Sequence, residues 1–137
     1  MPSLSLRIKL DPDGRIGPGK IEPLEKIAAF GSISAAGRAM GMSYRRAWEL
    51  VDETNSIFGQ PVALRQTGGK NGGGATLTPL GMALITRFRA IERAASEVAD
   101  VHIQALQAEV QAASMAIEPT EATLPDVAAQ PKVNAKA

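Results

Sequence analysis

Hydrophobic and polar residues alternate strictly near the start of the chain. Leucine or isoleucine occupies every second position of residues 4–10, which predicts a half-buried strand over residues 3–10. The next segment, DPDGRIGPG, is dense in turn-forming residues and predicts a loop. From Lys20 the apolar positions change to helical spacing, and this helix is expected to end at Gly31.

Two further helices are predicted in quick succession, separated only by the residues Gly-Met-Ser. Ser34 is expected to cap the first, AAGRAM, which ends at Gly41. Ser43 is expected to cap the second, YRRAWELVDETNSIF, which runs to about Phe58. Two helices joined by a short turn that contains glycine form a helix-turn-helix.

A hairpin and a long helix are predicted next. The β-prone runs VALRQT and ATLT flank a glycine-rich stretch and read as the two arms of the hairpin. Thr78 and Pro79 then start a helix, with a capping hydroxyl before a proline at the first helical position. Nothing breaks the helical pattern before about Ser114, which gives a helix roughly 50 Å long.

The long helix carries an a/d seam of apolar residues in alternating steps of four and three. This seam consists of Leu84, Phe88, Ile91, Ala95 and Val98. So long a helix cannot pack fully on so small a body, and we expect the seam to pair with a second copy. The remaining sequence is rich in alanine and proline and predicts a disordered tail. The expected organisation is a domain over 1–78 that contains the helix-turn-helix and the hairpin, a dimerisation helix over 79–115 and the tail over 116–137.

The composition of the chain excludes several classes of protein. The chain has no cysteine, which excludes disulfides, zinc–thiolate sites and cysteine nucleophiles. The N-terminus does not resemble a signal peptide, and we expect a cytoplasmic, nucleoid-associated protein. Residues 1–90 carry twelve basic and seven acidic side chains, whereas residues 91–137 carry three and seven. A basic body with an acidic end suits a polyanionic partner.

The order of strand, helix, helix-turn-helix and hairpin describes a winged helix-turn-helix, mainly α with a small β-hairpin. In that fold the second helix of the pair enters the major groove of DNA. Arg45 and Arg46 lie in its first turn, where arginine can bind guanine or a phosphate. Ser43 offers a hydroxyl donor to an oxygen of the DNA backbone. Tyr44 either covers the turn or touches a base. Periodicity leaves Trp48 between the core and the edge of the groove.

The end of the same helix is acidic. Glu49, Asp52 and Glu53 would repel phosphate, so this end is expected to face away from DNA.

The glycine-rich run RQTGGKNGGGATLT raises an enzyme hypothesis, a phosphate-binding loop for a nucleotide. That motif needs GxxxxGK followed by Ser or Thr, between a strand and a helix. Here Lys70 precedes Asn71, and the glycines lead into a second strand-prone run. We therefore predict the tip of a wing, not an enzyme, with Arg65 and Lys70 supplying charge. No cofactor or metal is expected.

The segments GSISAAGRAMGMSYRRAWELVDETN and ALRQTGGKNGGGATLTPLGMALI resemble the N-terminal DNA-binding domain of the ModE family, molybdate-responsive bacterial transcription regulators. The part GSISAAGRAMGMS is also, more distantly, similar to the LysR-type helix-turn-helix. The resemblance covers about residues 20–110, and SYRRAW and TGGKNGGGATLT are its most specific signatures. It implies a dimeric transcription factor on a two-fold symmetric operator. The DNA-binding residues are then Ser34, Ser43, Tyr44, Arg45, Arg46 and Trp48 around the helix pair, and Arg65, Thr67 and Lys70 in the wing.

Regulators of this family continue into molybdate-binding domains, which the resemblance does not reach. We therefore expect a stand-alone regulator in molybdenum-related gene control that binds no molybdate itself. Two alternatives stay open. One is an architectural, nucleoid-type protein that binds double-stranded DNA with little sequence preference. The other is a modulator that forms a heterodimer with a full-length ModE-like regulator.

Overall fold

The computed structural model describes residues 1–66 and 74–117. The elements in chain order are β1 (Ile8–Leu10), β2 (Gly14–Ile16), α1 (Pro18–Phe30), α2 (Ile33–Ala39), α3 (Tyr44–Phe58), β3 (Ala63–Gln66), β4 (Gly74–Leu77) and α4 (Pro79–Ile117). The prediction of a mainly helical winged helix-turn-helix followed by a long helix is confirmed. The predicted tail lies, from residue 118 onwards, outside the described residues.

The first hairpin corrects the sequence prediction. The expected strand over 3–10 is reduced to β1, and the expected loop contains a strand, β2, that pairs antiparallel with it. Turn residues are confined to 11–13. Three residues of β2 are too few to give a period-two pattern. The strand forms because Ile16 is buried, in register with Ile8, and packs with Ile21 and Phe88.

The cap of α2 is Ser32, and the prediction of Ser34 was wrong. The Ser32 hydroxyl accepts a hydrogen bond from the Ala35 amide at 3.0 Å. Ile33 is buried in the core as the first residue of the helix, which moves the cap one position before it. Ser34 therefore lies within the first turn of α2.

Glycines make the connection between α2 and α3 tight. Gly41 has φ of 69°, a left-handed conformation that costs glycine little. The Met42 amide donates to the Gly37 carbonyl at 2.9 Å. A Cβ on Gly37 would lie 3.0 Å from the Met42 carbonyl oxygen and 3.2 Å from that of Ser43. This close approach of the backbone fixes the position of the start of α3 relative to α2.

The wing is attached to the helices through its base. β3 and β4 pair antiparallel, with Arg65 opposite Ala75. The Ala75 amide donates to the Gly31 carbonyl at 2.9 Å, which ties β4 to the link between α1 and α2. One core cluster joins these elements: Leu24, Ile27, Ile33, Ala36, Ala47, Val51, Val62, Ala63 and Ala75.

The start of α4 is confirmed at Pro79. The Thr78 hydroxyl accepts from the Gly81 amide at 3.1 Å and donates to the Pro61 carbonyl at 2.8 Å. Its main-chain amide donates to Val62, so the helix start is fixed to the base of the wing.

Phe88 corrects the predicted dimerisation seam. Its side chain is only 1% exposed and packs with Ile16 and Ile21, whereas Ile91 is 46% and Val98 77% exposed. The sequence predicted a seam because apolar steps of four and three also occur where a helix packs on its own domain. The partner strand, β2, had been predicted to be a loop.

Two compact units divide the chain. One comprises Ser5–Ala95, and the other comprises, among the described residues, Met1–Leu4 with residues 96–117. The first unit therefore includes residues 79–95 of α4, which lie beyond the predicted domain limit at residue 78. That limit stays a prediction. Within the described ranges, no helix combines the length and the apolarity that crossing a membrane requires.

A bidentate ion pair joins α1 to α4. Arg89 donates to Glu25 through Nε at 2.8 Å and Nη2 at 2.6 Å, and to Glu92 through Nη1 at 2.6 Å. The hydrogen bonds from Arg89 lower the pKa of the Glu25 carboxyl, against the raising effect of burial. A lowered folded-state pKa stabilises the fold above the ordinary value of 4.5, and that contribution is lost as the pH falls through the folded-state pKa.

We predict that Glu25→Gln lowers the free energy of unfolding at neutral pH by about 1 kcal/mol, because the pair is partly exposed and screened. The deficit relative to the native chain should close as the pH falls through the lowered folded-state pKa of Glu25, because the native carboxyl is then itself protonated. Urea unfolding at neutral pH and over a series of acidic pH values measures the change. Glu22→Gln, on the exposed side of the same helix, is the control; a deficit that persists in acid would contradict the assignment.

Candidate nucleic-acid interface

The N-terminus of α3 presents a polar surface over an apolar base. The Ser43 hydroxyl accepts from the Arg46 amide at 3.1 Å, which confirms the predicted cap. Ala47, Leu50 and Val51, on the opposite side of the helix, are buried in the core. Tyr44, Arg45 and Arg46 are exposed. The cap therefore starts a helix whose first turn is basic and accessible.

Arg65 connects the wing to this helix. Its Nη1 donates to the Tyr44 hydroxyl at 3.2 Å, and its guanidinium carbon lies 4.1 Å from the centre of the Trp48 ring. Tyr44 and Trp48 are one helical turn apart, so one arginine of β3 spans both. A cation over a tryptophan face is attractive.

The sequence left open whether Trp48 lies in the core or at the surface, and in the structure it takes part in both. It is half-buried and packs against the core, while its ring supports Arg65. The aromatic side chain thus belongs to the core and to the surface beside the basic turn. Sequence spacing gave no signal for this contact, because the two residues are far apart in the chain.

Glu49, the first of the three acidic residues of this helix, lies among the arginines of its first turn. Arg45 donates to it through Nε at 3.2 Å, and Arg46 through Nη1 at 3.4 Å. Arg46 also lies 3.9 Å from Glu53, which in turn lies 3.8 Å from Lys20 of α1. A glutamate four residues after an arginine falls on the same helical face, which explains the contact with Arg45. That the acidic end of the helix faces away from DNA stays a prediction.

The other residues predicted to bind DNA are not all found beside this basic turn. Ser34 is half-buried inside α2 and, within the ranges described, makes no side-chain hydrogen bond to the cluster formed by Tyr44, Trp48 and Arg65. Thr67 and Lys70 lie outside the described residues. The last described pair of the wing holds Gln66, whose amide donates to the Thr76 hydroxyl at 3.5 Å. Arg65 is therefore the predicted wing residue for which the structure gives contacts.

The contact of Arg65 with Trp48 can be measured, because Trp48 is the single tryptophan of the chain. Arg65→Ala should move tryptophan emission to longer wavelength, since the ring loses its cover and gains water. A double-mutant cycle with Trp48→Leu should give a coupling of about 0.5–1 kcal/mol in the free energy of unfolding. Arg45→Ala, which removes an arginine that contacts Glu49 instead, is the control. Unchanged emission in Arg65→Ala would argue against the stacking.

The chain is similar in sequence to several known proteins. No protein-family model matches the chain. The molybdenum-pterin-binding protein MopB of Rhodobacter capsulatus is 46% identical over 78 residues, which are 57% of this chain and 29% of that protein. The DNA-binding transcriptional dual regulator ModE of Escherichia coli K12 is 37% identical over 99 residues, 72% of this chain and 36% of ModE. A solved MarR family transcription regulator aligns with a TM-score of 0.47 at 23% identity, covering 75% of this chain and 76% of that one.

The chain spans about a third of the length of the curated relatives it matches. These relatives are a binding protein and a regulator and not enzymes, in agreement with the prediction that this chain is not an enzyme. Over that third of their length, the chain is a homologue of ModE and the Mop proteins, with a winged helix-turn-helix of the ModE type.

Proposed function

We propose that this chain is a sequence-specific DNA-binding transcription regulator that acts as a dimer on a two-fold symmetric operator, in molybdenum-related gene control. One observation carries the proposal: the exposed basic turn at the start of α3 is joined to the wing by Arg65. A helix that reads bases and a strand that follows the backbone are thereby held as one surface.

The first turn of α3 enters the major groove in this proposal. Arg45 and Arg46 donate to base edges or phosphates, and the helix N-terminus favours a phosphate oxygen. Ser43 keeps this end ordered by capping it. Arg65 holds its guanidinium at the wing side of the helix, where a neighbouring phosphate would lie.

Charge supports a nucleic-acid partner more than the net value suggests. The formal net charge is only +1, yet residues 1–90 carry twelve of the fifteen basic side chains. Contacts to phosphate release counterions, so binding should weaken as salt rises. The same dependence is expected for any duplex, and it does not by itself establish sequence specificity.

Dimerisation is proposed from exposed apolar residues on α4. Ile91 and Val98 of the predicted seam are exposed, as are five others on that helix: Met82, Val101, Leu106, Val110 and Met115. Exposed apolar side chains that recur at the seven-residue spacing, as Ile91 and Val98 do, are typical of a helix surface that is buried by a partner. Phe88 is removed from this set because it belongs to the core of its own domain.

The link to molybdenum comes from the relatives. MopB is a molybdenum-pterin-binding protein, and a relative from Azotobacter vinelandii, 35% identical over 88 residues, is the molybdenum transport protein ModE. We propose control of genes of molybdenum metabolism and no molybdate binding by this chain. Isothermal titration with molybdate tests the second part, and tight binding would overturn it.

Selection of duplexes from a random library by the full chain, followed by sequencing, tests the main proposal. A regulator should enrich one motif with two inverted half-sites about one helical turn apart. Enrichment without a motif would favour the architectural alternative. A single, unsymmetrical motif would support DNA reading but contradict the homodimer. No enrichment at all would leave the heterodimer alternative, which co-purification with a full-length ModE-like protein would then test.

A further inference from the structure

Glu49 occupies an unexpected position for a helix that binds a polyanion. Its two carboxylate oxygens each accept a hydrogen bond from a different arginine of the first turn, Oε2 from Arg45 and Oε1 from Arg46. The Glu49 side chain is 45% exposed and the Arg45 side chain 88%. The carboxylate thus belongs to the surface that would meet DNA.

We infer that Glu49 determines specificity: it suppresses binding to phosphates alone and leaves Arg45 in a position to read a base. This inference rests on the proposed DNA-binding function and concerns the same site. It assigns to Glu49 a part in discrimination between sequences, whereas the two arginines supply the attraction.

The geometry of Arg45 supports this assignment. Its contact with Glu49 uses Nε, and none of the described residues engages its two terminal nitrogens. Those terminal nitrogens form the fork that binds O6 and N7 of guanine. Arg45 can therefore keep its bond to Glu49 while it reads a base. Arg46 differs, because its contacts with Glu49 and Glu53 both use Nη1.

Electrostatics give the reason for lower affinity on random DNA. The Glu49 carboxylate lies beside both guanidinium groups, so a phosphate that binds either arginine also meets the repulsion of this negative charge. An exposed ion pair of this kind is worth about 0.2–1 kcal/mol, or up to about fivefold in affinity. On the correct sequence, a carboxylate can instead accept a hydrogen bond from the amino group of cytosine.

The test compares three full-length proteins: the native chain, Glu49→Gln and Asp52→Asn. Asp52 is exposed on the same helix and, among the described residues, forms no ion pair. The probes are the duplex recovered by selection from a random library and a scrambled duplex of the same composition. Affinities are measured by fluorescence anisotropy across a series of salt concentrations, after circular dichroism has shown equal folding.

Glu49→Gln should bind the scrambled duplex about two- to fivefold more tightly. Its salt slope on that duplex should become steeper by up to about 0.9, one additional phosphate contact. Its affinity for the selected duplex should stay unchanged or fall, so that the ratio of the two affinities falls at least about twofold. Asp52→Asn should leave the ratio intact. In a background of Arg45→Ala and Arg46→Ala, Glu49→Gln should do no more than Asp52→Asn.

Two results would overturn the inference while leaving the proposed function standing. One is a motif recovered by the native chain and an unchanged ratio in Glu49→Gln. The other is an equal fall of the ratio in Asp52→Asn, which would mean that total charge and not position is responsible. If the native chain recovers no motif, the proposed function and the inference fail together.

Discussion

Phe88→Ala is expected to lower the free energy of unfolding by about 3–5 kcal/mol, the range for a fully buried aromatic residue in a packed core. Phe88 is 1% exposed and packs against Ile16 and Ile21, so the substitution removes contacts with β2 and α1 and leaves a cavity. Denaturant unfolding at fixed protein concentration measures the loss. The concentration is fixed because a dimer's stability depends on it.

Val98→Ala is the matched control for this loss. Val98 lies on the same helix and is 77% exposed, so its truncation should change the stability of the fold by less than about 0.5 kcal/mol. If α4 pairs with a second copy, Val98→Ala should instead weaken dimerisation in sedimentation experiments. If Phe88→Ala leaves the fold stable but weakens the dimer, Phe88 belongs to the predicted dimerisation seam and not to the core of its own domain.

Arg45→Ala is expected to weaken binding to the selected operator by about 1–3 kcal/mol, the value for a bidentate base contact. The loss on a scrambled duplex should be smaller, because random DNA offers Arg45 only phosphates. Arg46→Ala should weaken both duplexes alike, since the terminal nitrogen Nη1 of Arg46 is shared between two carboxylates. Anisotropy titrations at one salt concentration measure these differences.

An exposed arginine outside the site provides the control for charge alone. Arg87 lies on α4 and is exposed. Arg87→Ala should change operator affinity by no more than a rim charge does, well under 1 kcal/mol. Equal losses on operator and scrambled duplex in Arg45→Ala would reassign Arg45 to phosphate and would remove the geometric support for the role of Glu49.

Local signals allowed the helix starts of the site to be predicted. Ser43 caps α3 and Thr78 caps the start of α4, because a hydroxyl bonds to an amide three residues ahead whatever the rest of the chain does. The antiparallel arms of the wing followed from β-prone runs on both sides of the glycines. The cap of α2 was missed by two residues, since two serines compete there and burial of Ile33 selects Ser32.

Contacts between distant residues could not be predicted from the sequence. The pattern of apolar steps on α4 predicts an apolar face, but it does not tell whether Phe88 of that face packs against β2 or against a second copy. Similarly, nothing in the sequence pairs Arg65 with Trp48, which are brought together by the packing of β3 beside α3. The contact of Glu49 with Arg45 could have been inferred from their spacing of four residues. Its charge was instead taken as a reason for this end of the helix to face away from DNA.

The sequence by itself determined the order of the helices and of the two wing strands, the caps of α3 and α4, and the basic character of the first turn of α3. These follow from periodicity and from hydrogen bonds within one helical turn, and they need no distant partner. Tertiary structure decided which apolar residues of α4 enter the core, how Arg65 joins the wing to α3, and that Arg46 lies between Glu49 and Glu53. These arrangements depend on how the helices and the hairpin pack, which only the folded chain specifies.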